Sequence, residues 1–110
     1  MSFGSKIRIT NSTKFKKMIV LEPWAEVYEI LPEQAFEFVA QSEYEGNFEI
    51  DFDGEYEGVE SITIYAWSGC VVEVLFEGEN ISGAGHIKVF DVPLSLSLSE
   101  FTKKFFGNNE

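Results

Sequence analysis

Residues 48–58, FEIDFDGEYEG, alternate apolar and acidic side chains over most of their length. A β-strand points successive side chains to opposite faces, so a period of two predicts a strand with one apolar and one acidic face. We expect Phe48, Ile50 and Phe52 to face the core. The acidic side chains of the other parity are expected to face water: Glu49, Asp51, Asp53, Glu55 and Glu57.

Other segments have the same strand character. The runs SITIYAW at 61–67 and VVEVLF at 71–76 are rich in β-branched and aromatic residues, and only Ser68, Gly69 and Cys70 separate them. A short glycine-containing link between two such runs predicts a hairpin. Strand-like segments also occupy 6–10, 16–22, 26–31 and 35–40. Pro23 is expected to end or bulge one of them, because proline has no amide to donate.

The C-terminal region predicts one short helix. Ser97 and Glu100 fit a capping box, and Leu98, Phe101 and Phe105 then form one apolar stripe. The competing interpretation is an edge strand over 94–99, LSLSLS, because that segment also alternates strictly.

These elements predict one all-β domain over residues 1–110. The expected fold is an antiparallel β-sandwich of seven or eight strands with a short C-terminal helix. A jelly-roll or a partly closed barrel is the alternative. A chain of 110 residues is long enough to bury a core without disulfides or metal ions.

The charge is strongly asymmetric. The formal net charge is −11, and the segment between Met18 and Ile87 holds sixteen acidic residues and no lysine or arginine. Such a surface repels phosphate groups, so the sequence predicts neither nucleic-acid nor membrane binding. A basic protein is the expected kind of partner. The single cysteine and the polar N-terminus lead us to expect a cytoplasmic protein.

The acidic tract from Glu43 to Glu60 is the candidate partner surface, because it holds eight carboxylates and no basic residue. The alternative is that these charges only keep an aromatic-rich protein soluble and protect a sheet edge from pairing. We therefore expect a small, acidic, non-enzymatic interaction module. A hydrolase is the least supported class, because among nineteen acidic residues some pair always fits a glycosidase spacing.

The alternative function is a ligand-binding sandwich for calcium or carbohydrate. Asp51, Asp53 and Glu55 place hard oxygen ligands around Gly54, although they do not match an EF-hand loop. A sugar-stacking platform would use four aromatic residues: Trp24, Tyr28, Tyr65 and Trp67. Aromatic residues at strand spacing are more often part of the core, so we expect no cofactor and no metal site.

Neither reactive residue type suggests catalysis. Cys70 has only acidic residues as its nearest charges in the sequence, so we expect a buried structural thiol and not an activated nucleophile. His86 is the single histidine, which is too few for a cupin-type metal site. It also lacks a nucleophile elbow beside it, so we expect a structural role and predict no catalytic residue.

Part of the pattern resembles small bacterial β-rich proteins to which no activity has been assigned. Their pattern runs from an Asn-x-Thr turn through Glu-Pro-Trp to a tyrosine strand and a proline turn. Here those places hold Asn11-Ser12-Thr13, Glu22-Pro23-Trp24, Tyr28 and Pro32, and the later Tyr65-Ala66-Trp67 also fits. The chain has Glu33-Gln34 where the pattern prefers glycine. The resemblance covers about half of the chain, implies a β fold and transfers no functional residue.

Overall fold

The computed structural model describes residues 2–83 and 88–89, and the regular structure of these residues consists of β-strands. The β-branched and aromatic runs of the sequence form these strands, as their propensity predicts. Eight strands follow in chain order: β1 (Phe3–Thr10), β2 (Lys17–Glu22), β3 (Glu26–Ile30), β4 (Ala35–Ser42), β5 (Glu49–Tyr56), β6 (Val59–Tyr65), β7 (Val71–Phe76) and β8 (Glu79–Asn80). The prediction of an all-β fold is confirmed for the residues that the structure describes. The predicted C-terminal helix, its competing strand over 94–99 and His86 lie outside the described residues.

The strands form two four-stranded sheets. The first sheet has the order β1-β4-β7-β8 and the second sheet has the order β3-β2-β6-β5. Within the described part of the chain neither sheet closes into a barrel. β2 ends at Glu22, so Pro23 stands just beyond the strand as expected.

The pairing differs from the expected antiparallel pattern at one place. β2 and β6 run parallel, with Met18 beside Ser61 and Glu22 beside Tyr65. The other strand pairs that the structure describes are antiparallel. The alternation of hydrophobic residues indicates which face of the sheet a side chain occupies. It does not indicate the direction of the neighbouring strand, so the parallel pairing of β2 with β6 could not be predicted from the sequence.

The predicted hairpin around Gly69 is wrong. β6 belongs to the second sheet and β7 to the first, so the link between them crosses from one sheet to the other. The link is itself part of the core, since Trp67 is 8% exposed and Cys70 is fully buried. Gly69 has φ of +75°, a backbone conformation that glycine adopts without strain. A short glycine-containing link serves a hairpin and a crossing between sheets equally well.

The core lies between the two sheets. Its largest fully buried side chains come from both: Phe38, Val72 and Val74 from the first sheet, and Ile19, Leu21, Ile30 and Ile64 from the second. Tyr28 on β3 contacts β4 of the facing sheet, with its ring centroid 6.0 Å from that of Phe36 in an edge-to-face arrangement. Aromatic pairs of this geometry favour close packing of the two layers.

A β-bulge divides β5. The register between β5 and β6 shifts by one residue between Asp51 and Gly54, so Phe52 and Asp53 together stand opposite a single residue of β6. A Cβ atom on Gly54 would collide with the hydroxyl of Ser61, so the chain approaches β6 closely just after the bulge. The alternation of side chains is therefore displaced by one position in the second half of β5.

The bulge overturns one core assignment. Phe48 and Ile50, which precede it, are half-buried and pack against the core as predicted. Phe52 is 64% exposed, so its prediction as a core residue is wrong. The physical reason is that the strict alternation of apolar and acidic residues continues through the bulge in the sequence, whereas the backbone does not keep the matching register.

Candidate functional site

The bulge also separates the predicted acidic face into two groups. Glu49 and Asp51 alternate with Ile50, which packs against the core, so they lie on the face of the second sheet that points away from it. After the bulge Glu55 stands directly opposite Glu60, on the strand face that also carries Ile62 and Ile64 of the core. The five carboxylates that the sequence assigns to one surface therefore do not share one face of the strand.

The other two of the five predicted carboxylates belong to neither group. Asp53 is exposed in the bulge, and its backbone N–H donates a 3.0 Å hydrogen bond to Oδ1 of Asp51. Glu57 is exposed in the turn between β5 and β6, where its φ is +51°. Neither side chain continues the regular row of acidic residues that begins at Glu49.

The first group converges on Tyr65, the last residue of β6. Glu22 on β2 and Glu49 on β5 are the direct neighbours of Tyr65 on its two sides, and Asp51 lies one register position further along the same face. We call these four residues, Glu22, Glu49, Asp51 and Tyr65, the Tyr65 cluster. Alternation along β6 places Tyr65 on the opposite face from Ile64, yet Tyr65 is only 7% exposed and belongs to the buried core cluster.

The electrostatics of the Tyr65 cluster are seen at Tyr65, which is under the influence of three carboxylates. Burial raises the pKa of Tyr65, and the negative charges of Glu22, Asp51 and Glu49 raise it further. Burial also raises the pKa of Glu22, an effect that a hydrogen bond from the backbone of Ala25 partly offsets. A positively charged group placed here would be attracted by three carboxylates at once.

The second group already has a cation beside it. Nζ of Lys17, at the start of β2, lies 3.3 Å from Oε1 of Glu60. Two acidic side chains directly opposite each other destabilise a strand pair, and Lys17 offsets the repulsion between Glu55 and Glu60. The other ion pairs among the described residues join Lys6 and Arg8 to Glu37, and Lys16 to Glu29. Several of the basic residues near the start of the chain therefore already form ion pairs with acidic side chains.

The four aromatic residues considered for sugar stacking are mainly structural. Tyr65 and Trp67 are 7% and 8% exposed, so their ring faces are not open to a ligand. Trp67 donates a 2.7 Å hydrogen bond from Nε1 to the carbonyl oxygen of Tyr44. Trp24 and Tyr28 are half-buried and pack against the core, and Tyr28 donates a 2.6 Å hydrogen bond to Glu26. The structure does not bring the four rings together on one exposed surface.

The other candidates add no site. Cys70 is fully buried, and burial raises its pKa to about 11, as expected for a structural thiol. Among residues 2–83 and 88–89 no group of three or more histidine, cysteine, aspartate or glutamate side chains is arranged to hold a metal ion. In the same part of the chain no helix has the length and apolar character to cross a membrane.

Three of the four residues of the Tyr65 cluster are among the site residues predicted from the sequence. Glu49 and Asp51 belong to the predicted acidic surface and Tyr65 to the predicted stacking set, but Glu22 was assigned no role. No local signal joins residues 22, 49 and 65, because only the pairing of β6 with β2 and β5 places them side by side.

Comparison with known proteins assigns this chain to no family. No protein-family model, curated protein or solved structure gives a significant match to this chain. The resemblance to small bacterial β-rich proteins stays a prediction.

Proposed function

We propose that this protein is a small, acidic, non-enzymatic β-sandwich that binds a more basic protein through the Tyr65 cluster. The observation that carries the proposal is the convergence of Glu22, Glu49 and Asp51 on one buried tyrosine of the neighbouring strand. The two facing sheets with a shared core support a sandwich over the partly closed barrel.

Among the described residues no basic side chain forms an ion pair with Glu22. Holding Glu22 charged in a half-buried position costs free energy, because burial disfavours the charged form of its carboxyl. A cation from a partner would relieve this cost, so part of the binding free energy would come from stabilising the charge of Glu22. The overall charge of −11 would also steer a basic partner toward this protein and raise the association rate.

The non-enzymatic part of the proposal has separate support. The thiolate is the reactive form of cysteine, and a pKa of about 11 keeps Cys70 protonated at neutral pH. The raised pKa of Glu22 alone does not define a catalytic acid, since structural clusters of carboxylates shift in the same way.

The bulge in β5 provides a matched pair of variants to test the proposal. Glu49→Gln with Asp51→Asn removes two charges from the Tyr65 cluster. Glu55→Gln with Glu57→Gln removes two charges on the other side of the bulge, one on β5 and one in the turn that follows it. Binding of the three proteins to an array of peptides that spans a range of net charge is compared at several salt concentrations.

We expect the wild type and the Glu55/Glu57 variant to bind basic peptides, with affinity that falls as salt rises. The Glu49/Asp51 variant should bind them more weakly at every salt concentration. Equal losses in both variants would contradict a specific role of the Tyr65 cluster and favour a purely solubilising role for the acidic strand. Binding that does not depend on peptide charge would contradict the proposal as a whole.

A further inference from the structure

Two exposed phenylalanines are flanked by charges of opposite sign. Among the phenylalanines in the part of the chain that the structure describes, Phe15 and Phe52 are the two with mostly exposed side chains, at 76% and 64%. The first ring stands in the tripeptide Lys-Phe-Lys over residues 14–16, and the second in Asp-Phe-Asp over residues 51–53. A single exposed ring is ordinary on a protein surface. Two rings with complementary flanking charges are an arrangement by which two surfaces recognise each other.

The loop that joins β1 to β2, residues 11–16, holds Phe15 in a fixed position, and we call it the Phe15 loop. The backbone N–H of Phe15 donates a 3.3 Å hydrogen bond to Oγ1 of Thr13, and its carbonyl oxygen accepts a 2.8 Å hydrogen bond from Nδ2 of Asn11. Asn11 is buried and also donates to the carbonyl oxygen of Ile30, so the loop is tied to the core. A residue whose backbone is already held in place loses little conformational freedom when it binds.

The bulge of β5 presents Phe52 on a similarly ordered backbone. The N–H of Asp53 donates a 3.0 Å hydrogen bond to Oδ1 of Asp51, and these two residues enclose Phe52 in the chain. The close approach of Gly54 to Ser61 fixes the backbone just after the bulge. Among the described strands β5 is at the edge of its sheet, so the bulge is accessible to another molecule.

Within one molecule the two rings do not cover each other. The Phe15 loop leads into β2 and Phe52 belongs to β5, and β6 stands between these two strands in the sheet. Both rings accordingly stay mostly exposed. The two surfaces can meet only between two molecules.

We propose that this protein associates with a second copy of itself, with the Phe15 loop of one molecule packed against the β5 bulge of the other. The two phenyl rings remove each other from water, and the lysines of the loop lie beside the aspartates of the bulge. A second copy is the fitting partner because the chain itself carries both halves of the contact. The contact buries much less than the about 1,600 Å² of a standard interface, so the association is weak and reversible. Neither ring belongs to the Tyr65 cluster, so the inference is independent of the proposed function.

The net charge of the protein separates a specific contact from nonspecific association. Two copies with a net charge of −11 repel each other overall, so nonspecific association strengthens when an acidic residue is replaced by lysine. Asp53 is exposed in the bulge, and in the proposed contact Asp53→Lys has the opposite effect, because it places a lysine against the lysines of the Phe15 loop. Glu73→Lys, at an exposed position on β7, makes the same change of charge away from the contact and is the control.

Translational diffusion measured by NMR in a dilution series gives the Kd of self-association for each protein. The series reaches about 1 mM, a concentration at which a weak contact is populated. We expect Asp53→Lys and Lys14→Glu each to raise the Kd at least about threefold, because each turns an exposed attraction into a repulsion. The variant with both substitutions should return to within about twofold of the wild type, since the two exchanged charges attract each other again. Glu73→Lys should not raise the Kd.

The rings are tested by Phe15→Ala and Phe52→Ala. Each substitution should raise the Kd about tenfold or more, the effect expected when the burial of a phenyl ring is lost. Ile81→Ala is the control, since Ile81 is an exposed apolar residue that follows β8 of the first sheet, and it should leave the Kd unchanged.

The inference is overturned if the wild type stays monomeric throughout the dilution series. It is also overturned if Asp53→Lys associates as tightly as Glu73→Lys, because net charge alone then governs association. A double variant that associates no more tightly than Lys14→Glu or Asp53→Lys alone would show that these two residues do not face each other, and the assigned contact would be wrong.

Discussion

The side-chain amide of Asn11 donates a 3.0 Å hydrogen bond to the carbonyl oxygen of Ile30. Asn11 follows β1 of the first sheet and Ile30 ends β3 of the second, so this bond joins the two sheets at one end of the core. The same amide donates to the carbonyl oxygen of Phe15 at 2.8 Å, and its Oδ1 accepts the N–H of Thr13 at 3.0 Å. Asn11 is only 3% exposed and its bond to Ile30 is buried, so the Ile30 carbonyl would lose its partner without access to water.

We expect Asn11→Ala to lower the free energy of unfolding by about 2–3 kcal/mol, because it leaves the buried carbonyl of Ile30 without a partner. Asn80→Ala is the matched control, since Asn80 is exposed on β8 and accepts a hydrogen bond from the N–H of Ser82 in a local turn. It should cost less than about 1 kcal/mol. Urea denaturation measures both values, and similar costs for the two variants would contradict the role assigned to Asn11.

The bulge in β5 predicts a large difference between two phenylalanines. Phe38 is fully buried between the sheets, whereas Phe52 is 64% exposed beside the bulge. Phe38→Ala should lower the free energy of unfolding by about 3–5 kcal/mol through lost burial and a cavity. Phe52→Ala should change it by no more than about 0.5 kcal/mol, as for most surface positions. A loss of several kcal/mol from Phe52→Ala would show that β5 keeps its regular register and that Phe52 faces the core.

The sequence predicted what depends on neighbouring residues along the chain. The period of two located β5, and Pro23 marked the end of β2, because both signals act within one strand. The predictions from the sequence were wrong where the structure depends on residues that are distant along the chain. Nothing within residues 48–58 shows that Gly54 must approach Ser61, which accompanies the bulge and the exposure of Phe52.

The same limit applies to the site. Residues 68–70 have the composition of a hairpin turn, but Trp67 and Cys70 are buried in the core and the link crosses between the sheets. Glu22 becomes a neighbour of Tyr65 only through the parallel pairing of β2 with β6. A single sequence carries no signal for that pairing, so the convergence of carboxylates could not be predicted from it.

The buried position of Cys70 predicts slow chemistry at its thiol. Burial raises the pKa of Cys70 to about 11, so at pH 8 only about one thiol in a thousand is ionised. A free cysteine with a pKa of about 8.5 is then roughly one quarter ionised. We expect an aromatic disulfide reagent at pH 8 to react with the native protein at least about a hundredfold more slowly than with the urea-unfolded protein. Comparable rates in the two states would show that the thiol is accessible and not held in the core.

The raised pKa of Glu22 predicts a definite pH dependence of stability. The folded protein holds the Glu22 proton more tightly than the unfolded chain, whose carboxyl has the model value of 4.5. Stability therefore falls as the pH rises from about that value through the higher pKa of the folded state, because folding then requires a charged carboxylate in a half-buried site. Below the unfolded value the carboxyl is protonated in both states and the effect disappears.

Glu22→Gln replaces the carboxylate by a neutral group of the same shape and should remove this component. We expect the variant to be at least as stable as the wild type at neutral pH, with the difference shrinking to zero as the pH falls below about 4. Glu73→Gln, at an exposed position on β7, is the control and should show no such trend. Urea denaturation from pH 4 to 8 provides the comparison. A variant less stable than the wild type at neutral pH would mean that the charge of Glu22 already has a stabilising partner within the protein, and the site for an external cation would then lose one of its acceptors.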